Sequence, residues 1–350
     1  MCEICEHITV NESKSKDFRR LAKLDPTRTT TLRNSFAKEF RRRLTKIQRL
    51  IVSSILTNDC FGLTDELNIY ADNKIPRKKF QFKNDQEKVR LFMAWLNEQI
   101  NRELLTVEEK YSLGEFGETN WADIYISDAY KRGVLRADLE MKKLKPSGYT
   151  SIEERGGINA VMDTPIHSDR LRYLYTRTFN ELQGVSNDMA NQISRILTQG
   201  IADGDSPRVL ASKLYKVIGG GLELTVKNAA GIPVRTISAK ARATMIARTE
   251  IIRAHHKANI AEYRRYALAG VIVQAEFSAN FDDRLCEECR ELDGKKYTLD
   301  EAEDLIPVHP NCRCIVLPYI EEIDEMLANK THFKHDFKQD KLKQYKTIKK

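Results

Sequence analysis

Four of the seven cysteines and one of the seven histidines lie in two short segments, DDRLCEECRELDGKKY at residues 282–297 and PVHPNCRCIVLPYI at residues 307–320. The first segment contains a CxxC pair, and the second contains an HxxC pair that is separated from it by nineteen residues. Each short spacing places two donors on one turn, and the intervening chain can bring both pairs into a tetrahedral site. Thiolates with one imidazole suit zinc better than magnesium or calcium. The predicted ligands of a structural zinc ion are Cys286, Cys289, His309 and Cys312.

The sequence leaves other interpretations of these cysteines open. Cys314 can replace Cys312 as the fourth ligand, the CxxC pair can be redox-active, or the thiols can be packing residues or form a disulfide. A catalytic zinc is not expected, because four ligands close the site and no HExxH or HxE…CxxC pattern lies nearby. Three further donors near the start of the sequence are one short of a tetrahedral site: Cys2, Cys5 and His7.

The segments around the two pairs predict a small β element. VIVQAEF at residues 271–277 and CIVLPYI at residues 314–320 are apolar runs of strand length, and we expect them to pair. Asp283 is predicted to cap the turn that enters the CxxC pair. Because this region is short and weakly apolar, a bound metal would contribute much of its folding free energy, on the order of 10 kcal/mol.

Most of the remaining chain has helical periodicity. In the first long helix, apolar residues from Phe36 to Ile55 recur at three- and four-residue steps. A later helix carries Gly133 among small residues that would let another helix approach closely. Gly184 is predicted to end one helix, and Ser186 is predicted to cap the next. We therefore predict a mainly α fold with multi-helix N-terminal and central regions and a small zinc-stabilised β element near the C-terminus (α+β).

A long helix is predicted between Ser238 and Gly270. His255 and His256 are adjacent on it and cannot face one way, so they are predicted to be surface and boundary residues. Stretches rich in Gly and Pro, together with changes in charge along the chain, predict the following segments. They are an N-terminal arm (1–30), a helical domain (31–144), a linker (145–163), a helical domain with an inserted hairpin near 219–237 (164–270), a zinc-knuckle β subdomain (271–320) and a basic tail (321–350).

Composition narrows the class of protein. The 350 residues carry a formal net charge of +8, and no run approaches the length of a membrane span. The start of the sequence has no apolar signal-peptide core, so we expect a soluble protein made in a cytosol. Thiols stay reduced there, which favours metal binding over disulfides.

Positive charge is concentrated in the first long helix and in the tail. From Glu12 to Thr57 there are thirteen Lys and Arg residues against four acidic residues. Such a run can neutralise DNA phosphates, or it can be a solvated helix face. The predicted contacts to DNA or to a protein partner are Arg41, Arg42, Arg43, Lys46 and Arg49.

Three motifs occur in order between Ser238 and Tyr319: ARTEIIRAHH…EYRRYALAG, DDRLCEEC…LDGKKY and PVHPNCRC. Together they resemble the bacteriophage head morphogenesis family, the Mu protein F–like minor capsid proteins. A looser resemblance extends upstream to Asp25. The family's characteristic positions correspond here to Arg248, Thr249, Glu250, Asp283, Cys286, Cys289, Gly294, His309, Cys312 and Arg313.

The resemblance implies a structural protein of the phage head, present in few copies and made in the host cytoplasm. The implied partners are the portal protein and the major capsid protein, together with packaged double-stranded DNA through the basic segments, and no membrane. The implied roles are head assembly, DNA packaging or DNA delivery, without an enzymatic activity. The alternatives are a zinc-knuckle nucleic-acid-binding protein and a virion-associated enzyme.

One residue links the long helix to the cysteine segments. Glu250 falls on the apolar face of the helix, and an unpaired buried carboxylate is costly. We therefore expect it to accept hydrogen bonds from Arg313 or from backbone amides beside the zinc ligands. Asp283 and Arg313 are the other two predicted structural contacts.

Overall fold

The computed structural model describes residues 25–62, 85–108, 119–219, 224–227, 233–281 and 284–321. The N-terminal cysteines, Asp283 and the lysine-rich tail, about which the sequence makes predictions, lie outside these residues. A π-helical turn, Asn101–Leu105, follows the second helix. The α-helices are α1 Thr30–Leu56, α2 Asp85–Ile100, α3 Asp123–Leu144, α4 Gly157–Met162, α5 Pro165–Ala202, α6 Pro207–Gly219, α7 Ala239–Leu268, α8 Glu287–Leu292 and α9 Leu299–Ala302.

The strands form three small antiparallel sheets. They are β1 Val107–Glu108, β2 Thr119–Asn120, β3 Leu224–Lys227, β4 Pro233–Thr236, β5 Gln274–Ser278, β6 Lys296–Tyr297 and β7 Ile315–Tyr319. β1 pairs with β2, and β3 pairs with β4 as the predicted hairpin. The third sheet has the order β6-β5-β7, with Gln274 opposite Tyr319 and Ser278 opposite Ile315. The predicted fold, mainly helical with a small sheet near the C-terminus, is confirmed.

The chain divides into two compact units, each assembled from separate stretches of sequence. Within the described residues, unit 1 comprises 25–30, Ser127–Leu171 and the residues from Ile252 onward. Unit 2 comprises Thr31–Ile126 and Arg172–Ile251. The segment boundaries predicted from the sequence follow chain order, and they remain predictions.

The core of unit 2 is built on the apolar stripe of α1. Phe36, Phe40, Leu44, Ile47 and Ile51 are all buried, as their helical spacing predicts. Trp121 packs against this stripe, with its ring centroid 5.6 Å from those of both Phe36 and Phe40.

The core of unit 1 joins α3, α7 and the C-terminal sheet. Ala275 and Phe277 alternate with partly exposed residues along β5 and face the core. Their neighbours in one apolar cluster include Met141 of α3, Tyr263 of α7 and Val316 of β7. The sheet is therefore anchored on helices that come from distant parts of the sequence.

A buried polar network also belongs to unit 1. Glu262 of α7 has no exposed surface, and Arg155 donates to its two carboxylate oxygens at 3.1 and 3.0 Å. His167 Nε2 donates to Glu262 Oε1 at 2.8 Å, and the Tyr130 hydroxyl lies 3.0 Å from His167 Nδ1. These hydrogen bonds hold the pKa of Glu262 near 2, because they outweigh the opposing effect of burial.

Two predictions about helices are wrong. α5 runs without interruption from Pro165 to Ala202, so Gly184 does not end a helix and Ser186 does not cap one. The Ser186 hydroxyl instead donates to Leu182 O of the same helix at 3.0 Å.

His255 and His256 of α7 are both buried, because the middle of α7 is enclosed on all sides. The His256 ring donates from Nε2 to Ala302 O at 2.7 Å.

Among the described residues, none of the helices combines the length and apolar character of a membrane-spanning segment.

Candidate metal centre

The CxxC pair lies at the start of the short helix α8. Cys286 is the residue that caps the helix, and its sulfur accepts a hydrogen bond from Cys289 N at 3.3 Å. This contact holds the Cys286 thiol against the first turn of α8. Cys289 is buried, whereas Cys286 is partly exposed.

His309 completes a group of three donors with the CxxC pair. Its Nε2 lies 3.3 Å from the Sγ of Cys286 and 3.3 Å from the Sγ of Cys289. The other ring nitrogen, Nδ1, donates to the Pro310 carbonyl at 2.9 Å. This bond places the proton on Nδ1 and leaves the lone pair of Nε2 directed at the two sulfurs, as in histidines that bind metal ions.

Cys289 also belongs to a second group, with Cys312 and Cys314. The ligand atoms of each group lie within 4.8 Å of one another. Cys312 N donates to His309 O at 3.1 Å, so Cys312 lies on the same turn as the histidine. In a tetrahedral zinc site the ligand atoms are about 3.6–3.8 Å apart, given bonds of about 2.0–2.3 Å. The three donors of each group are therefore close enough together to share one metal ion.

The protonation of the three buried thiols favours a cation at this site. A hydrogen bond from Cys314 lowers the pKa of Cys312 to about 5, against the effect of burial. Burial raises the pKa of Cys289, and the neighbouring Cys312 sulfur raises that of Cys314. A divalent ion would stabilise further thiolates, since it supplies positive charge where water is excluded.

The surrounding sheet and turns hold the donors in place. Gly294 has a φ of +76°, and its N–H donates to Phe277 O at 2.8 Å. Phe277 N donates to Lys295 O at 2.8 Å, which ties the chain after α8 back to β5. Cys314 directly precedes β7, so the sheet fixes the second group of donors as well.

No disulfide joins the cysteines of the described residues. The structure therefore brings Cys286, Cys289 and His309 together and places both Cys312 and Cys314 beside Cys289. These clusters could hold a metal ion. The choice between Cys312 and Cys314 as fourth ligand stays open.

Residues 191–317 match the family model of phage Mu protein F like protein. This match confirms the resemblance seen in the sequence. The matched region contains all five candidate donors, together with Glu250, Asp283 and Arg313, but none of the basic residues of α1. No curated protein and no solved structure matches the chain.

Glu250, inside the matched region, is buried as its place on the apolar face predicts. Arg177 of α5 donates from Nε to Glu250 Oε2 at 3.2 Å. This arginine therefore compensates the carboxylate within unit 2. The predicted contact between Glu250 and Arg313 stays a prediction.

The five basic residues of α1, outside the matched region, have different surroundings. Arg43 is nearly buried, donates to Glu103 O at 2.7 Å and stacks 4.5 Å from the Trp121 ring, so it is a core contact. Arg42 and Lys46 are exposed but pair with Glu39 and Glu103, respectively. Arg41 and Arg49 are exposed. The contacts of these residues with DNA or a partner stay predictions.

Sequence reasoning missed the network around Glu262 and the position of Lys240 beside the basic face of α1. The burial of Glu262 could have been predicted from its spacing, because it follows Ala258 by four residues on a buried helix face. Its contacts with Arg155 and His167 could not have been predicted, since only the fold brings these residues to Glu262.

Proposed function

We propose that this protein is a phage minor capsid protein that acts in head morphogenesis as a structural component without enzymatic activity. The family match over residues 191–317 carries this proposal. It is supported by the position of the motifs, since the part of α7 from Ile252 onward and both cysteine segments lie in unit 1.

The proposed metal is a structural Zn²⁺ bound by Cys286, Cys289 and His309, with Cys312 as the fourth ligand. Thiolates and one imidazole are donors that zinc prefers, and four protein ligands leave no open position for a substrate. The ion would join α8 to the turn before β7, and both segments are short. Its role is to hold the C-terminal sheet in a single conformation on α7.

The proposed partners are the portal protein and the major capsid protein, with packaged double-stranded DNA as a third contact, and the proposed location is the phage head. The proposal of these two protein partners rests on the match to the family alone. The support for DNA is the positive charge of α1.

The test of the head assignment is to purify phage particles and to quantify this chain by mass spectrometry against the portal protein. We expect a small, constant ratio of this chain to the portal in full heads, and a drop in infectious particles when its gene is deleted. Absence of the chain from finished heads and from assembly intermediates would contradict the proposal.

The test of the metal is elemental analysis of the purified full-length chain. We expect one zinc ion per chain and a lower unfolding temperature in the presence of a strong chelator. A chain that holds no metal and unfolds at the same temperature with chelator would remove zinc from the proposal, without affecting the assignment to the phage head.

A further inference from the structure

Five basic residues of α1, together with Lys240 of α7, fall into two groups that differ in their acidic neighbours. In the first group, Arg42 lies 2.7 Å from Glu39, and Lys46 lies 3.2 Å from Glu103. Arg43 also pairs with Glu39, at 2.9 Å. Much of the positive charge of this group is therefore neutralised within the chain.

The second group comprises Arg41, Arg49 and Lys240. Both arginines are exposed, and Arg41 Nε donates to the Ala37 carbonyl of its own helix at 3.2 Å. In the part of the chain that the structure describes, no carboxylate pairs with any of these three cations. Three uncompensated positive charges therefore share one surface.

A single glutamine brings Lys240 to this surface. Lys240 Nζ donates to Gln48 Oε1 at 2.8 Å, and Gln48 Nε2 donates to Tyr215 O at 2.9 Å. Gln48 follows Arg41 by two helical turns and directly precedes Arg49, so the Lys240 ammonium lies near enough to both arginines to feel their charge. Gly219 leaves room for this amide, because a Cβ there would lie 2.4 Å from Gln48 Nε2.

The proximity of the three charges has an electrostatic consequence. The pKa of Lys240 is lowered, first by partial burial and then by the positive charges of Arg41 and Arg49. Like charges held together in this way repel one another, and an anion placed among them relieves the repulsion. The surface is thus arranged for an anionic ligand.

We propose that Arg41, Arg49 and Lys240 form a binding site for the phosphate backbone of double-stranded DNA. This inference rests on the proposed function and specifies its DNA contact. Eight residues of α-helix separate Arg41 from Arg49 by about 12 Å. That distance is close to the width of the major groove, about 12 Å, so the two arginines can reach phosphates on its two sides. Contacts of this kind are independent of base sequence.

The experiment measures binding of a fluorescent random-sequence duplex to the full chain by anisotropy, over a series of KCl concentrations. The test variant is Arg41→Gln/Arg49→Gln/Lys240→Gln. Each phosphate contact contributes roughly 0.9 to the slope of log affinity against log salt, so three contacts contribute about 2.7. Between about 50 and 200 mM KCl, wild-type affinity should therefore fall about 40-fold further than that of the variant.

The control variant removes the same charge from residues that have acidic partners: Arg42→Gln/Lys46→Gln/Arg102→Gln, since Arg102 pairs with Glu98 at 2.9 Å. We expect its salt slope to stay near that of the wild type. The lysines beyond Asn329 are present in all three chains, so a difference in slope isolates the site. Unchanged circular dichroism and melting temperature show that the variants fold.

Three results would overturn the site. They are equal slopes for wild type and test variant, equal losses in the test and control variants, and stronger competition by polyglutamate than by duplex DNA at equal charge. The last result would indicate an acidic protein partner. None of these results bears on whether the chain is found in purified heads, so failure of this site and failure of the proposed function can be told apart.

Discussion

Glu262 is a carboxylate with no exposed surface, and its charge is compensated by side chains from separate parts of unit 1. Arg155 binds both of its oxygens, and His167 binds one of them. Removing one member of a buried ion pair commonly costs about 3–5 kcal/mol, because the other charge stays buried. Arg155, which precedes α4 by two residues, is thereby fixed to α7 through Glu262.

The low pKa of Glu262 makes this contribution depend on pH. The folded-state pKa, about 2, lies below the ordinary value of 4.5, so the stabilisation is complete above about pH 4.5 and is lost as pH falls toward 2. The difference corresponds to about 3 kcal/mol. We expect Glu262→Gln to be less stable than wild type at pH 7, with a gap that closes between pH 4.5 and 2.

Urea unfolding of both chains at several pH values measures this gap. Glu98→Gln is the matched control, since Glu98 is exposed and its pair with Arg102 should contribute less than about 1 kcal/mol. A gap for Glu262→Gln that is the same at every pH would show that its charge does not stabilise the fold.

The fourth metal ligand is a second question at the scale of single residues. Cys312 shares a turn with His309, whereas Cys314 directly precedes β7. We expect Cys312→Ser to lose tightly bound metal and Cys314→Ser to keep one ion per chain. Elemental analysis after dialysis and the absorption spectrum of the Co²⁺-substituted protein measure this difference. The reverse order of metal loss would assign the ligand to Cys314.

The sequence was sufficient to predict that thiols and His309 come together here, but not how they divide between the two groups. The spacings of CxxC and HxxC are local, and a turn brings each pair together whatever the rest of the fold does. Cys314 is an alternative to Cys312 because it lies beside Cys289, and its position depends on the pairing of the following strand β7 with β5.

The burial of Glu250 was predictable from helical periodicity. Its contact with Arg177 was not, because it depends on how α5 packs.

At the scale of helices, two glycines have opposite roles. A Cβ on Gly133 of α3 would lie 2.4 Å from His255 O and 2.6 Å from the Ala258 Cβ, so α3 and α7 touch closely there. The small residues of this helix predicted such an approach. A Cβ on Gly184 of α5 would meet only the end of the Arg242 side chain, at 3.1 Å.

These two positions give a matched pair of substitutions. Gly133→Ala is expected to destabilise the protein by about 1–3 kcal/mol, because backbone must shift to admit the methyl group. Gly184→Ala is expected to be neutral or to stabilise by up to about 1 kcal/mol, because alanine favours the helix and the arginine can move. Thermal and urea unfolding measure both. Equal destabilisation by the two substitutions would contradict the close contact at Gly133.

The errors in predicting helices have physical reasons. Glycine and serine commonly mark helix ends, but inside α5 the buried residues Leu182, Val185 and Met189 continue the apolar face across both. Their packing outweighs a propensity cost of about 1 kcal/mol for glycine. For α7, the prediction assumed one apolar face, whereas the middle of the helix is surrounded. His255 and His256 are buried for that reason.

At the scale of the whole molecule, each unit contains stretches of chain that are far apart in sequence. The apolar cluster of unit 1 includes Met141, Tyr263 and Val316, which come from three such stretches. Helix content and the small sheet were predictable from local patterns. The composition of the units was not, because a contact between distant segments leaves no periodic signal in a single sequence.

Truncation after Gly270 tests this arrangement. It removes β5, β6 and β7, so it exposes apolar side chains of α3 and α7 that pack against Phe277 and Val316. We expect residues 127–171 to lose their protection against hydrogen exchange, while Thr31–Ile126 keeps more of its own. Hydrogen exchange followed by mass spectrometry measures both regions. Full protection of residues 127–171 in the truncated chain would contradict a shared core.

The composition of unit 1 also sets the order of events during synthesis on the ribosome. Residues 127–171 are made early, but the strands that complete their apolar cluster are made more than a hundred residues later. At a synthesis rate of about 5–20 residues per second, the apolar surface of these helices stays uncovered for several seconds or more. In a nascent chain, unit 1 is therefore incomplete, and cannot bind a partner as a folded unit, before β7 leaves the ribosome.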